Sequence, residues 1–339
     1  MRIMVFDVPA ENGGALTVLN QYHKKAIEDK GNEWFFLIST PKLSETQHIK
    51  VLNFPWIKKS WFHRLYFDIF VAYKVVEKYQ PDKILSLQNV IIQNTNVKQI
   101  LYLHQSLPFV EKRYRITEDL KIWVYQNIIG KMIFRSIEKA DKIIVQTRWI
   151  KEACLKKVKV DRNKIEIQQP EMDIVIKKHY KEEYSKNKIF FYPANDLPYK
   201  NHRIIIEAAK ELKKRNLKNY KIIFTLTGNE NKNIKRLYKR VKELSLPISF
   251  IAQINLDEAY EYYSKSILIF PSYIESYGLP MLEAKMHGTP ILASNCAFSH
   301  EILDGYDDVK FFDAFDNKML TNLMEEIIIT RRCFMGYNV

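Results

Sequence analysis

Short apolar runs alternate with amphipathic helical patterns along most of the chain. In the first half, such runs predict strands at residues 2–6, 33–38, 83–87, 99–103 and 142–146. Most of these runs are separated by segments that are long enough for a helix. Alternating strands and helices predict a parallel sheet that is covered by helices on both faces.

The second half repeats this pattern after a polar interruption. Residues 171–187 are rich in Lys, Glu and Tyr, and strands are predicted after them at 188–192, 221–228, 248–251 and 267–270. A chain of 339 residues is long enough to form two domains, each with its own core. We therefore predict a first domain at 1–170, a linker at 171–187, a second domain at 188–330 and a tail at 331–339.

Positive charge is concentrated in the first domain. The chain has a net charge of +14; residues 1–170 hold 28 Lys and Arg against 17 Asp and Glu, whereas residues 171–339 hold 25 against 22. Basic and aromatic residues are mixed at 58–66 and at 112–135. This composition suits an anionic membrane surface and equally suits a phosphate backbone. The alternative is an ordinary core helix with a charged outer face.

The sequence gives no sign of a disulfide framework, a metal site or a membrane span. Its three cysteines lack a Cys-x-x-Cys spacing, and there is neither an Asp-x-Asp pair nor a His cluster. No apolar stretch reaches the ~18 to 20 residues that a bilayer requires, and the N-terminus lacks a signal-peptide pattern. We expect a cytoplasmic protein without a metal.

Residues 271–290 carry the most informative motif, in which Glu275 and Glu283 lie eight positions apart around Gly278. Pro280 suits the first turn of a helix, so we expect Glu275 to follow a strand and Glu283 to lie in the first helical turn. Backbone amides at a helix N-terminus suit a diphosphate, and a carboxylate suits paired hydroxyls. The alternative is that Glu283 only complements the helix dipole and Glu275 is a solvated loop residue.

The stretch 246–303 resembles the retaining glycosyltransferases of the GT-B fold, family 4, which carry a Glu-x7-Glu motif. In that family a strand of small residues follows the motif, and the resemblance places this strand at 288–294. The resemblance implies an α/β protein with two doubly wound Rossmann-like domains that face an interdomain cleft. The second domain would hold a nucleotide sugar and the first an acceptor. The resemblance also implies a metal-independent transfer of a hexosyl group with retention of configuration.

The resemblance implies roles for particular residues. Lys200 would neutralise the donor diphosphate, Glu275 would orient the sugar, and Glu283 would bind the ribose. In the first domain, His104 would contact the sugar from the other side. Further donor-binding positions are implied at Gly13, Gly14, Asn195, Asn201, Tyr277, Gly278 and Leu279, and the backbone around 251–253 would contact the nucleotide base.

Two features depart from the family pattern. Many relatives carry an Arg a few residues before the lysine that corresponds to Lys200, where this chain has Asn195. Relatives also commonly continue past the helix near 317–330 with another helix, which crosses back to the first domain. The implied acceptor is a glycan or a lipid-linked glycan of a bacterial surface polysaccharide, with peripheral attachment to the membrane. The alternatives are a nucleic-acid-binding α/β protein and a GT-B fold epimerase or phosphorylase.

Overall fold

A computed structural model describes residues 1–11, 13–170, 174–181 and 187–330. The chain divides into two compact units, one before and one after residue 172. The predicted linker at 171–187 lies partly outside the described residues, and the predicted tail at 331–339 lies wholly outside them. None of the helices in the described part of the chain combines the length and the apolar content that crossing a bilayer requires.

The N-terminal unit contains a parallel sheet of seven described strands in the order β3-β2-β1-β4-β5-β6-β7. The strands are β1 (Arg2–Asp7), β2 (Glu33–Ile38), β3 (Ile49–Asn53), β4 (Lys83–Ser86), β5 (Lys98–Leu103), β6 (Lys142–Val145) and β7 (Ile165–Ile167). The helices are α1 (Gly13–Glu28), α2 (Trp61–Tyr66), α3 (Ala72–Tyr79), α4 (Leu120–Val124), α5 (Gly130–Lys139) and α6 (Arg148–Lys157).

Two long helical stretches of this unit each contain a π-helical turn. The turn Phe67–Val71 joins α2 to α3, and the turn Tyr125–Ile129 joins α4 to α5. In each turn a backbone amide bonds to the carbonyl five residues earlier, from Ala72 to Phe67 and from Gly130 to Tyr125. Such turns are rare and occur frequently at functional sites.

The C-terminal unit contains a parallel sheet of six described strands in the order β10-β9-β8-β11-β12-β13. The strands are β8 (Lys188–Tyr192), β9 (Tyr220–Phe224), β10 (Ile248–Phe250), β11 (Ile267–Phe270), β12 (Ile291–Ser294) and β13 (Val309–Phe312). The helices are α7 (His202–Lys214), α8 (Lys232–Glu243), α9 (Leu256–Tyr263), α10 (Leu279–His287), α11 (Ala297–Ile302) and α12 (Asn317–Thr330).

Alternate residues of the central strands pack into cores on opposite faces of each sheet. On β1, Ile3 and Val5 join a buried cluster with residues of α1, whereas Met4 and Phe6 join a cluster with residues of the α2–α3 stretch. Burial on both faces explains why the strands appear in the sequence as continuous apolar runs. The prediction of two doubly wound parallel sheets is confirmed.

The strand order identifies the edge of each sheet at which a ligand is expected. The order reverses between β1 and β4 in the first sheet and between β8 and β11 in the second. In open parallel sheets, ligands bind beyond the carboxyl ends of the strands at such a reversal. The loops that follow these four strands are therefore the first place to look for a site.

Candidate active site

The turn between β11 and α10 is built around Gly278, which has φ +94°. A side chain is disfavoured there mainly because this φ is left-handed. A Cβ would also lie 2.7 Å from the Cε atom of Met281, so the end of that flexible side chain would have to shift. Leu279 and Pro280 then form the first two positions of the helix. The turn therefore presents the backbone amides of Gly278 and Leu279 without a covering side chain at Gly278, whereas Pro280 has no N–H and the Met281 amide bonds to the Gly278 carbonyl.

Glu283 lies on the second turn of α10, so its prediction in the first turn was wrong by one turn. The helix begins at Leu279, one residue before the proline that marked its start in the sequence. The Tyr263 hydroxyl donates a hydrogen bond of 2.9 Å to Glu283 Oε2. Burial raises the pKa of Glu283, and the bond from Tyr263 partly offsets that rise. A carboxylate so far into the helix is poorly placed to complement the dipole, which acts within the first turn.

A cavity of about 200 Å³ lies beside Glu283 in the C-terminal unit. Its lining residues come from the ends of β8 and β9, the segment after β10 and the two helices α9 and α10: Pro193, Thr225, Gln253, Ile254, Asn255, Leu256, Ala259, Tyr263, Pro280 and Glu283. The sequence analysis places the contact to a nucleotide base at 251–253, and Gln253 lies in this wall. Glu283 is the only ionisable carboxylate among the residues that line the cavity.

Lys200 and Glu275 form an ion pair, although 75 residues separate them in the sequence. Their side chains are only 15% and 14% exposed. Lys200 ends the 3₁₀ turn Pro198–Lys200 after β8, and its carbonyl accepts a 2.6 Å hydrogen bond from Tyr192. The structure therefore brings together the two residues that the sequence analysis assigns to the diphosphate and to the sugar.

Asn201 fixes the loop that carries Lys200. It has φ +59° at the N-terminus of α7, and its side-chain amide donates to the carbonyl of Ala314 at 2.7 Å. Asn195 is exposed, and its Oδ1 atom accepts a bond of 3.4 Å from the Leu197 amide. Tyr277 is buried beside the turn that contains Gly278. Among the predicted donor-binding residues of this unit, Asn195 therefore presents the most accessible side chain.

In the N-terminal unit, His104 directly follows β5 at the predicted strand end. Asn89 Oδ1 accepts hydrogen bonds from the backbone amides of His104 and Gln105, at 2.7 and 2.9 Å, which identifies the Nδ2 end of Asn89 as a donor. That Nδ2 atom lies 3.1 Å from His104 Nε2, so Nε2 accepts and Nδ1 carries the proton of the neutral ring. Burial lowers the pKa of His104 to about 4, so the ring is neutral at pH 7.

The structure describes the glycine loop and the residues that could hold a metal ion, and it tests neither of these two predictions. Gly13 begins α1 with φ +58°, and open space surrounds the positions where Gly13 and Gly14 would carry a Cβ. Their contact with a donor stays a prediction. The described residues contain no group of three or more His, Cys, Asp or Glu side chains placed to hold a metal ion.

Sequence reasoning missed several polar residues near these positions. In the C-terminal unit they are Thr225 and Tyr263, which line the cavity beside Glu283. In the N-terminal unit they are Arg64, Asp68 and Gln88, which share a pocket with His104. Arg64 and Asp68 have the i, i+4 spacing of a helical ion pair, which is a signal that was available in the sequence. The other three carry no local pattern.

Comparisons with known proteins agree with this architecture. Residues 175–331 match the family model of the glycosyl transferases group 1. The O-antigen chain mannosyltransferase RfbU of Salmonella typhimurium is 24% identical over 223 residues, which cover 63% of this chain. The match spans 61% of the length of RfbU.

Two solved structures resemble the whole chain in fold. Sucrose-phosphate synthase of Thermosynechococcus elongatus has a TM-score of 0.73 at 16% identity, and the alignment covers 97% of this chain and 90% of the other. Anabaena HepE, solved in complex with UDP-glucose, has a TM-score of 0.68 at 15% identity, with 98% and 91% coverage. The chain therefore has the GT-B fold of glycosyltransferases, and residues 175–331, which carry Lys200, Glu275 and Glu283, match the glycosyl transferases group 1.

Proposed function

We propose that the protein is a glycosyltransferase that moves a sugar from a nucleotide-sugar donor to a glycan or lipid-linked acceptor. The observation that carries the proposal is the cavity at Glu283, which lies beside the open start of α10. The family-model match over 175–331 supports the same activity. HepE, which has the same fold, was solved with UDP-glucose, and this supports a nucleotide sugar as donor.

The C-terminal unit would bind the donor in three parts. Glu283 would accept hydrogen bonds from the ribose hydroxyls, and the base would occupy the cavity near Gln253 and Ile254. The backbone amides at the start of α10 and the ammonium group of Lys200 would stabilise the diphosphate. Donor binding would then place a sugar near Glu275, which the ion pair with Lys200 already holds in position.

The transfer would retain the configuration of a hexosyl group, as in family 4. The bond between the sugar C1 and the β-phosphate oxygen breaks, and a bond from C1 to the acceptor oxygen forms on the same face. The acceptor proton passes to the departing phosphate oxygen, so the products are a glycoside and a nucleoside diphosphate. Lys200 and the α10 amides would stabilise the charge that develops on the leaving group, and no metal is required for this.

The N-terminal unit would also dock on an anionic membrane surface. Phe62 is 84% exposed, and further large apolar side chains are exposed along the same stretch and along 116–128: Trp61, Leu65, Tyr66, Ile69, Phe70, Ile116, Leu120, Tyr125 and Ile128. Lysines and arginines flank both segments. An exposed apolar strip with flanking cations suits the interface of an anionic bilayer. The acceptor would then be a lipid-linked glycan of a surface polysaccharide, a class that includes the O-antigen named for RfbU.

The proposal is tested by thermal stabilisation with UDP, GDP, dTDP and CMP, on the natural protein and on Glu283→Ala. We expect one nucleotide to raise the Tm of the natural protein and to lose that effect in the variant. Stabilisation by none of the four nucleotides would contradict the proposal and favour a nucleic-acid-binding protein. Analysis of the products then separates transfer from epimerisation or phosphorolysis.

A further inference from the structure

The helix α8 of the C-terminal unit concentrates positive charge on its outer side. Six of its 12 residues are Lys or Arg, and Glu243 at its end is its one acidic residue. Its apolar residues Ile234, Leu237 and Val241 are buried. At 100° per residue, five of the six cations fall within an arc of about 120°. These five residues, all of them exposed, form the α8 cation face: Lys232, Lys235, Arg236, Lys239 and Lys242.

The cations of this face differ from most others of the C-terminal unit in lacking a carboxylate partner. The sixth cation of the helix, Arg240, forms an ion pair with Glu207 of α7 at 2.7 Å. Within the described part of the chain, Lys232, Lys235 and Arg236 form neither an ion pair nor a side-chain hydrogen bond. The remaining two have weak partners, since Lys239 lies 3.6 Å from Glu243 and Lys242 lies 5.3 Å from the ring of Tyr238.

The stability of α8 does not account for these cations. Lys232 lies in the first helical turn, where the helix dipole disfavours positive charge, and this turn contains no acidic residue. Like charges four residues apart also repel each other, as in the pairs of Lys232 with Arg236 and of Lys235 with Lys239. The helix therefore folds in spite of this charge. A partner that carries negative charge would remove the repulsion.

The composition of the face favours an anionic lipid bilayer as that partner. Apart from the five cations, the exposed residues of α8 are Asn233 and Glu243, so the face offers neither an aromatic ring for a nucleic-acid base nor an apolar side chain for insertion. Lipid headgroups diffuse laterally and can collect around cations spread over about 15 Å of helix. Four to eight Lys or Arg residues on an amphipathic helix are typical of binding to anionic lipid.

We propose that the α8 cation face is an electrostatic contact surface of the C-terminal unit for an anionic lipid bilayer. The inference goes beyond the proposed function, because neither the donor cavity nor the exposed apolar strip of the N-terminal unit includes a residue of α8. The contact lies at the level of the headgroups, since no apolar side chain projects from the face. High salt should therefore abolish this contact, whereas insertion of the N-terminal strip should persist.

The test is cosedimentation of the full chain with vesicles of phosphatidylcholine, prepared with and without phosphatidylglycerol. The α8 variant combines Lys232→Gln, Lys235→Gln and Arg236→Gln. We expect it to partition onto the vesicles that contain phosphatidylglycerol at least ~10-fold more weakly than the natural protein at about 50 mM salt. Its partitioning onto pure phosphatidylcholine should be unchanged. At about 500 mM salt the difference between the two proteins should disappear.

A control variant separates this face from the net charge of the protein. It combines Lys177→Gln, Lys214→Gln and Lys265→Gln, which remove the same charge from three lysines that each have a carboxylate partner. We expect this variant to weaken partitioning by less than ~3-fold, because charges beyond a Debye length of the bilayer are screened.

Thermal unfolding distinguishes a binding role from a structural one. If the cations of the α8 face held the fold together, their removal would lower the Tm. Because they repel one another and oppose the helix dipole, we expect the α8 variant to unfold at the same or a higher temperature than the natural protein. A lower Tm together with weaker partitioning would contradict the proposal.

Three further outcomes would overturn the proposal. One is that the α8 variant partitions as strongly as the natural protein while Phe62→Ser does not, which would assign all vesicle binding to the N-terminal strip. Another is that the control variant weakens partitioning as much as the α8 variant. The third is that the α8 variant keeps its binding to vesicles and loses binding to a duplex DNA oligonucleotide, which would assign the face to nucleic acid. None of these outcomes changes stabilisation by nucleotides, which tests the proposed function separately.

Discussion

The candidate donor site and the pocket of the N-terminal unit beside His104 differ in whether their buried polar groups have hydrogen-bond or ion-pair partners within the protein. In the C-terminal unit, Lys200 is paired with Glu275 and Glu283 accepts a bond from Tyr263, so each of these charged groups has a partner. In the N-terminal pocket, Asp68 and Gln88 each keep a buried atom that nothing in the described chain satisfies. The first arrangement suits a highly charged ligand that must be positioned, whereas the second leaves part of the hydrogen-bonding capacity of two buried side chains unused.

The largest effect is expected when the paired arrangement is broken at Lys200. Replacing Lys200 with Ala removes the cation that would stabilise the leaving diphosphate, and we expect kcat to fall ~10²–10³-fold. The measurement is initial transfer rate with the donor that the nucleotide panel identifies. Lys210→Ala is the matched control, because Lys210 is a lysine of α7 whose ion-pair partner is Glu207 and not Glu275. Equal rates in the two variants would remove Lys200 from the site.

The second effect concerns Asp7, a fully buried carboxyl at the end of β1 that contrasts with the paired carboxylates of the other unit. Burial raises its pKa to about 7, and this rise exceeds the opposing effects of the Ala10 amide and of Arg64 and Lys58. Neither carboxyl oxygen makes a hydrogen bond of good geometry within the described chain. An acid with a raised pKa binds more protons in the native state, so stability falls as the pH rises toward 7.

We therefore expect this group to lower the free energy of unfolding by ~2.5 kcal/mol between pH 5 and pH 8. Asp7→Asn should remove that loss, as measured by urea unfolding at both pH values. Glu152→Gln is the control, because the bond from Arg162 lowers the pKa of Glu152. The titration of Glu152 therefore changes the free energy of unfolding only below pH 5, outside the range that is compared. Parallel pH profiles for the natural protein and Asp7→Asn would show that the carboxyl is not buried as described.

The third prediction compares two costs of a side chain at position 278, the strain of the positive φ and the contact with Met281. Gly278→Ala should cost about 1–2 kcal/mol of unfolding free energy from its positive φ and a further cost from contact with Met281. Gly288→Ala has a similar positive φ of +70° with nothing within 4 Å, so it isolates the backbone effect. Chemical unfolding of both variants measures the difference. If Gly288→Ala were the more costly change, the close contact at Gly278 would carry no weight.

The smallest effect concerns the exposed face of the N-terminal unit. Phe62→Ser should weaken flotation with phosphatidylglycerol liposomes several-fold, because it removes the most exposed of the large apolar side chains in that face. Ile27→Ser is the control, since Ile27 is 42% exposed on α1 in the same unit but outside this face. Failure of the natural protein to float with anionic liposomes at low salt would contradict membrane docking.

The sequence predicted the central strands better than the edges. Five strands of the first sheet and five of the second lie close to predicted runs, because most of their residues are buried on both faces. The strands β3, β7 and β13 were missed. Each of these three has only one buried residue. Edge strands carry fewer buried positions, so their apolar pattern is weak.

The candidate site was likewise predictable only where its residues lie close together in the sequence. Glu275, Gly278 and Glu283 form one local motif, so the turn and the helix that hold them were predictable within a few residues. The ion pair between Lys200 and Glu275 depends on the neighbouring positions of β8 and β11 in the sheet, which no local pattern reveals. The hydrogen bonds from Arg64 to Asp68 and to Gln88 differ in the same way. The bond to Asp68 could have been predicted from the i, i+4 spacing, although it was missed, whereas no local pattern indicates the bond to Gln88.

The π-helical turns make the pocket sensitive to the number of residues in the chain as well as to their identity. Each turn accommodates one residue more than an α-helix would over the same length. Deleting one residue between Phe67 and Val71 would restore ordinary winding and rotate α2 by about 100° relative to α3. Trp61, Arg64 and Leu65 would then leave the pocket together, although none of them had been replaced. A single insertion or deletion in this stretch is therefore expected to reshape the pocket without any substitution among its lining residues.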